Sequence, residues 1–342
     1  EKHRVAAEEM AGSDMVSVMH GWIPEENYDR FTSALEARFG ARVTMHRLPM
    51  EDIAPEDIPT KLKNHRLFRP FELLLQLYPP PTYGTIDPSM WVGLSFIFFY
   101  GFIMADVVYG MIILFIAWQV RMRLGHIPVA RALSLLAVYM GISTTFFGIL
   151  FGEYMGNLGN YLFGIQPLWL HRISGVMVLL YFSLVVGVLH VGASLLMGIY
   201  VAKRHGDMGH LYEKSGIFSA FIGMLIAVLG VMGLTPFGVM PAAAAGIGFI
   251  ILGIVLLFIG LGKGAFIQSI ELISLATNVM SYSRLMALGM ASTALADVGN
   301  QFFESGGNPW VGAMIDVLFQ VLNICMGLFS PTLHSLRLNY VE

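Results

Sequence analysis

From Met90 onward the chain is a succession of apolar runs separated by short polar turns; before Met90 it is not. The runs cover roughly 90–120, 132–152, 173–202, 215–234, 241–262, 266–299 and 310–336, and each holds the ~20 apolar residues that cross a bilayer as a helix. The first is anomalous. At ~1.5 Å per residue it reaches ~45 Å, too long for one upright helix and too short for two complete ones. Gly101, Asp106 and Gly110 lie near its middle, so a break is expected there.

Basic residues decide the count of crossings through the positive-inside rule. Arg121, Arg123 and Arg131 occupy one turn, Lys203, Arg204 and Lys214 the next but one, and Lys263 the next alternate turn after that. The intervening turns carry Arg172 or no basic residue at all. With the basic turns on the cytoplasmic side, the basic connector before Met90 belongs there too. The first run must then start and end on the same side, as two short helices broken near Asp106. The expectation is an all-α polytopic membrane protein of about eight transmembrane helices. It is expected to be a multi-pass protein of the cell membrane with both termini cytoplasmic.

Ahead of the membrane part, residues 15–48 predict a β-α-β unit. Met15–Trp22 alternates as a strand, and Pro24-Glu25-Glu26 starts a helix that presents Tyr28, Phe31, Leu35 and Phe39 on one face. Gly40 closes that helix and Arg42–Leu48 resumes as a strand. Residues 49–88, rich in proline and containing Lys61-Leu62-Lys63-Asn64-His65-Arg66, read as a connector. The expected domains are therefore 1–88, a small α/β cytoplasmic lobe with its connector, and 89–342, the transmembrane part. Nothing in the lobe resembles a phosphate loop or a metal site.

Composition agrees with this layout. Hydrophobic residues make up 56% of the chain and charged ones 13%, with a mean hydropathy of +0.68; soluble domains carry about 25% charged residues. A net charge of −3 offers no basis for nucleic-acid binding, and the single Cys325 rules out an intrachain disulfide. Residues 1–10 are charged and lack the apolar centre of a secretory signal. Because the chain begins without Met and in mid-pattern, it is expected to be part of a longer protein. Asp106 reads as a structural acceptor for backbone N–H groups freed at the helix break, and His190 as a partnered core histidine. Gly148, Gly152 and Gly156 read as a small-residue ladder for close helix contact.

The residues that demand explanation are two arginines. An arginine at the bilayer centre costs about 2.5–3.5 kcal/mol on insertion scales and marks an interior or aqueous path. Arg284 lies near the middle of the 266–299 run, with Thr277 and Ser281 on its face and Glu271, Asn278 and Ser292 on a second polar row. In the last run Asp316, Asn323, Ser330 and Arg337 recur every seven residues, with Gln320 and His334 beside them and Pro331 as a source of a kink. Both runs, if helical throughout, span ~50 Å against a hydrocarbon core of ~30 Å. That predicts a long, tilted C-terminal helix pair shaped to lie against a large partner.

Two segments carry a family resemblance. Ser281-Tyr282-Ser283-Arg284-Leu285-Met286-Ala287-Leu288 resembles the Ser-Tyr-x-Arg-Leu-x-Ala-Leu motif of subunit a (subunit I in prokaryotes) of V-type and V/A-type rotary ATPases. Leu333-His334-Ser335-Leu336-Arg337-Leu338, followed by Val341-Glu342, is similar to that family's second signature, and Gly21-Trp22-Ile23-Pro24 to a feature of its soluble part. The resemblance implies the C-terminal part of a stator subunit that holds two proton half-channels against a rotating proteolipid ring (subunit c/L). It implies further partners: the peripheral stalk subunits E and G and central-stalk-proximal subunits through the cytoplasmic lobe, and membrane lipid. On that analogy Arg284 and Arg337 attract the deprotonated ring carboxylate and block direct leakage between the half-channels. Candidate half-channel residues are Glu271, Thr277, Asn278, Ser281, Ser292, Asp316, Gln320, Asn323, Ser330 and His334. No cofactor, metal or nucleotide site is expected on this chain, so it would not itself hydrolyse ATP.

Eukaryotic members commonly carry His eight residues after the first arginine, where this chain has Ser292, and an acidic residue ten before the second, where it has Gly327. The stretch around Asp106 matches the family's Gly-Asp-x-Gly-x-Gly only loosely. These departures favour a prokaryotic V/A-type member. The competing readings are a Na⁺-translocating version of the same subunit, a secondary transporter with an internal repeat and a midplane substrate site, and a membrane anchor without ion traffic.

Overall fold

The computed structural model describes residues 11–12, 17–48, 58–62, 64–65, 67–75, 81, 83–236, 238–304 and 309–340. The chain divides into two compact units, Glu1–Lys63 with Tyr78–Asp87, and Asn64–Leu77 with Pro88–Glu342.

In the first unit the expected helix forms as α1, Tyr28–Phe39, while the flanking strands differ from expectation. Ser17–Val18 (β2) pairs antiparallel with Ala11–Gly12 (β1), and residues 15–16 of the expected first strand lie outside the described residues. Gly40–Arg42 is a 3-10 turn, and residues 43–48 enter no strand ladder among the described residues. They fold back along the helix instead, with the Arg47 guanidinium 4.0 Å from the centre of the Tyr28 ring. Alternation in sequence reports a two-faced segment, not the existence of a pairing partner.

The second unit is helical. After the single turn α2, Glu72–Leu75, the first apolar run divides into α3, Ser89–Met104, and α4, Val107–Leu124. The break falls at Ala105-Asp106, as the sequence predicts, and Asp106 caps α4 by accepting from Val108 N at 2.9 Å and Tyr109 N at 3.1 Å. Next come α5, Pro128–Phe151; α6, Leu158–Phe163; α7, Val176–His205; α8, Met208–Val231; and α9, Val239–Leu261. The 266–299 run is not one helix. It is interrupted at Tyr282 into α10, Ala265–Ser281, and α11, Ser283–Glu304. The last run is the single long helix α12, Pro309–Tyr340.

Six of these helices, α4, α5, α7, α8, α9 and α12, are long and apolar enough to cross a membrane. α3 falls short at sixteen residues, and the interruption at Tyr282 leaves a short piece and a more polar one. The expected count of eight is thus reduced to six clear spans among the described residues.

Glycine allows close packing between α8 and α9. A Cβ on Gly216 would lie 2.7 Å from Gly253 O, and one on Gly223 2.6 Å from Gly246 O, so the two backbones touch. Of the expected ladder through Gly148, Gly152 and Gly156, Gly148 alone lies within a helix, its Cβ position 2.5 Å from Val107 N at the α3–α4 break, while that of Gly156 lies 2.8 Å from Ala296 of α11. Gly152 and Gly156 adopt φ of +68° and +69° and shape the connection after α5 instead. The core is aromatic, built on Phe99, Phe102, Phe147, Phe151 and Tyr282, whereas Ile247, Ile259, Met314, Phe329 and Leu333 point outward. That outward apolar surface needs lipid or a partner to cover it.

Candidate functional site

The site is organised around Tyr282. At the α10–α11 interruption Tyr282 N donates to Val279 O at 3.1 Å and Leu285 N donates to Tyr282 O at 2.9 Å, tightening the chain where its direction changes. The side chain is fully buried. It fits against Gly187 of α7, where a Cβ would lie 2.7 Å from the ring, and meets Phe99 and His190 edge-on. Its hydroxyl lies 2.5 Å from His190 Nδ1 and 3.4 Å from Leu338 O. Both contacts are satisfied when His190 carries its proton on Nδ1 and donates to the phenol oxygen, which donates to Leu338 O. His190 is a partnered core histidine, stacked on Trp91.

Both arginines sit beside this contact. Arg284 is two residues beyond Tyr282, half-buried in the first turn of α11 rather than in the middle of a helix. Arg337 immediately precedes Leu338 and is exposed in the last turn of α12, where a cation suits the helix dipole. Thr277 is exposed and Asn278 half-buried; the half-buried Ser281 donates back to Thr277 O at 2.9 Å.

A first polar cluster joins α10 to α8. Gln268 bridges Glu271 and the buried Glu213, donating to Glu213 Oε1 at 2.9 Å. Lys214 Nζ lies 3.1 Å from Glu213 and 3.9 Å from Glu271, and His210 Nδ1 lies 2.9 Å from Glu213. Of these residues the sequence singled out Glu271 alone as a candidate.

A second cluster, missed in the sequence, joins the connection after α5 to α11. Arg172, 2% exposed, lies 3.5 Å from Glu153 and donates to the carbonyls of Phe102, Ile103 (3.3 Å) and Gly289 (3.1 Å). The Thr293 hydroxyl is 3.0 Å from both Glu153 oxygens. In that connection, beyond the end of α5, burial raises the Glu153 carboxyl above its ordinary value and the Arg172 charge lowers it. Asp297 accepts from Asn157 N at 2.9 Å, and Asp106 accepts from Gly156 N at 3.0 Å. Glu153, Asn157, His171, Thr293 and Asp297 line a small cavity. The signal that could have found this cluster was Arg172 itself, the one basic residue in an otherwise uncharged connection after Glu153.

The stripe on α12 divides. Asp316, Gln320 and Asn323 are buried and face α11 and α4. Gln320 donates to Asp316 at 3.0 Å and to Asn300 at 3.1 Å and is bonded by the Tyr109 hydroxyl; Asn323 donates to Ser292 O at 2.9 Å and to Tyr109 at 3.1 Å. Ser330 and His334 are half-buried, and Arg337 leaves the buried row, which continues through Pro331, Ser335 and Leu338. A straight helix drifts ~20° per seven residues, so by Arg337 the expected stripe has turned ~60° from Asp316. Gly327 packs on Met104, and its carbonyl accepts from the Tyr100 hydroxyl at 3.2 Å.

Several apolar membrane-length helices joined by charged interior groups fit a multi-pass membrane protein. No family model matches the chain. Its homologues over nearly its whole length are named subunit I of A-type and V-type ATP synthases. The A-type ATP synthase subunit I of Methanocaldococcus jannaschii is 27% identical across 96% of this chain and 53% of that protein. That of Pyrococcus horikoshii is 27% identical across 96% and 52%, and the V-type ATP synthase subunit I of Chlamydia muridarum 26% identical across 100% and 61%. The chain spans about half the length of the relatives it matches. These similarities fit a membrane subunit of a rotary ATPase.

Proposed function

We propose that this chain is the ion-translocating part of a rotary ATPase stator, providing two proton half-channels and an arginine gate against a rotating proteolipid ring. The observation that carries this reading is the placing of Arg284 between two separate polar clusters. Asp297 of the second lies thirteen residues after it along α11, ~20 Å away, and Glu271 of the first thirteen residues before it, across the interruption at Tyr282. The first cluster adjoins the basic α7–α8 turn and so opens to the cytoplasm; the second lies in the connection after α5, on the opposite side. A proton would reach the ring carboxylate through one and leave through the other.

Arg284, with Arg337 offset from it along α12, is the fixed positive charge between the two. A guanidinium holds its proton, so it attracts the ionised ring carboxylate without relaying protons. In this reading α3, the α10–α11 unit and the six clear spans make eight crossings in the cell membrane with both termini cytoplasmic. Residues 1–88 belong to the cytoplasmic part that meets the peripheral stalk E and G subunits, and 89–342 to the translocating part. Coupling of proton flow to ATP synthesis or hydrolysis would occur in the whole complex. ATP-driven acidification of vesicles holding that complex, with and without Arg284→Ala, tests the reading.

One observation favours a second reading. The interruptions at Ala105-Asp106 and Tyr282 fall one in each half of the membrane part, as a transporter with a midplane site would place them. Substrate uptake by the purified chain alone would support it. Replacing Na⁺ by K⁺ in the acidification assay separates proton from sodium translocation.

A further inference from the structure

We propose that Tyr282, held by His190, is a positioning residue that fixes the two arginines relative to one another and to the rest of the chain. This rests on the stator reading given above. Arg284 follows the interruption of the helix, so the angle and rotation of that interruption aim its side chain. The one side chain at the interruption is that of Tyr282, and it reaches three other elements. It seats on Gly187, where no Cβ fits, and abuts Phe99 of α3. It also spans from His190 on α7 to the Leu338 carbonyl on α12.

The Leu338 carbonyl adjoins Arg337, so one hydroxyl links the segments that carry both arginines. His190 is itself clamped, stacked at 5.6 Å on Trp91 and edge-on to Phe99 at 5.2 Å, and cannot swing away without breaking an aromatic cluster. A phenol is suited to this role because its apolar ring fills the core while its hydroxyl supplies the directional contact.

The test uses the intact complex in proteoliposomes and reads protons pumped per ATP hydrolysed and passive proton leak, normalised to assembled complex. Tyr282→Phe keeps the ring and loses the hydroxyl; it should lower pumping about three- to tenfold, the equivalent of one net hydrogen bond, with assembly unchanged. His190→Leu should do the same. The double variant should fall no further than Tyr282→Phe alone, because that variant already loses the His190 contact along with the bond to Leu338 O. His190→Gln, which keeps a polar partner for the hydroxyl, should retain most of the pumping.

Normal pumping by Tyr282→Phe alongside abolished pumping by Arg284→Ala would overturn the inference and leave the stator reading standing. So would multiplicative losses in the double variant, or a loss of assembly with normal pumping per assembled complex. Normal pumping by Arg284→Ala would instead remove the stator reading itself.

Discussion

Ser292 and Asn323 exchange a reciprocal pair of hydrogen bonds: Ser292 Oγ donates to Asn323 Oδ1 at 2.9 Å, and Asn323 Nδ2 donates to Ser292 O at 2.9 Å. The pair fixes the antiparallel register of α11 and α12, and Gly299 against Asp316 continues the same register. Carried to the arginine end, that register sets Arg284 level with Pro331, six residues or ~9 Å of helical rise from Arg337. The two arginines are therefore offset along the helices rather than side by side.

Replacing Asn323 by Leu should destabilise the protein by ~1–3 kcal/mol, since it strips the half-buried Ser292 hydroxyl of its acceptor and removes a bond to Tyr109, whose hydroxyl keeps Gln320. Ser292→Ala should cost less, and the double variant less than the sum of the singles. Thermal unfolding in detergent reads all three; strict additivity would show that the reciprocal pair does not couple the helices.

The Glu153–Arg172 pair is buried at both ends. Glu153→Ala leaves the Arg172 charge inside without its carboxylate and should cost about 3–5 kcal/mol, whereas a paired replacement of both residues by apolar side chains should cost less. Unfolding midpoints of the single and double variants decide the point. Equal losses in both would mean that packing, not charge pairing, holds the connection after α5.

Asp106 accepts from the backbone N–H groups of Val108, Tyr109 and Gly156. A structural role predicts that Asp106→Asn, which can still cap α4, loses less stability than Asp106→Ala, whose lost cap costs about 0.5–2 kcal/mol before the Gly156 bond is counted. A proton-carrying role predicts the opposite pattern in transport: Asp106→Asn would stay folded and stop pumping. Measuring stability and acidification on the same two variants separates the roles.

The topology is testable by labelling from one side. In a Cys325→Ser background, cysteines placed at the exposed Arg123 and the exposed Tyr161 should react with a membrane-impermeant maleimide from opposite faces of sealed vesicles. Labelling of both from the same face would contradict the crossing order.

Much of this arrangement could be read from the chain, and the exceptions share a cause. The break at Asp106 was legible because a carboxylate and two glycines interrupt an apolar run of awkward length. The break at Tyr282 was not, because an aromatic residue fits a helix equally well and only its burial against Gly187 and His190 explains the turn. Glu271, Ser292, Asp316 and Asn323 stood out as polar residues within apolar spans. Glu153, Arg172 and Asp297 did not, since charges next to turns look solvated until the fold buries them or closes over them. The α12 stripe was legible near Asp316 and misread at Arg337, because a strict seven-residue count ignores the drift of a real helix.

The most direct measurement of the central claim is ATP-driven proton uptake by vesicles containing the whole complex, with wild-type subunit and with Arg284→Ala. The arginine-gate account predicts that assembly and ATP hydrolysis by the soluble part persist while pumping falls at least about a hundredfold, ~2.7 kcal/mol of lost coupling at ~1.4 kcal/mol per decade. Acidification by the Arg284→Ala complex at the wild-type rate would contradict it.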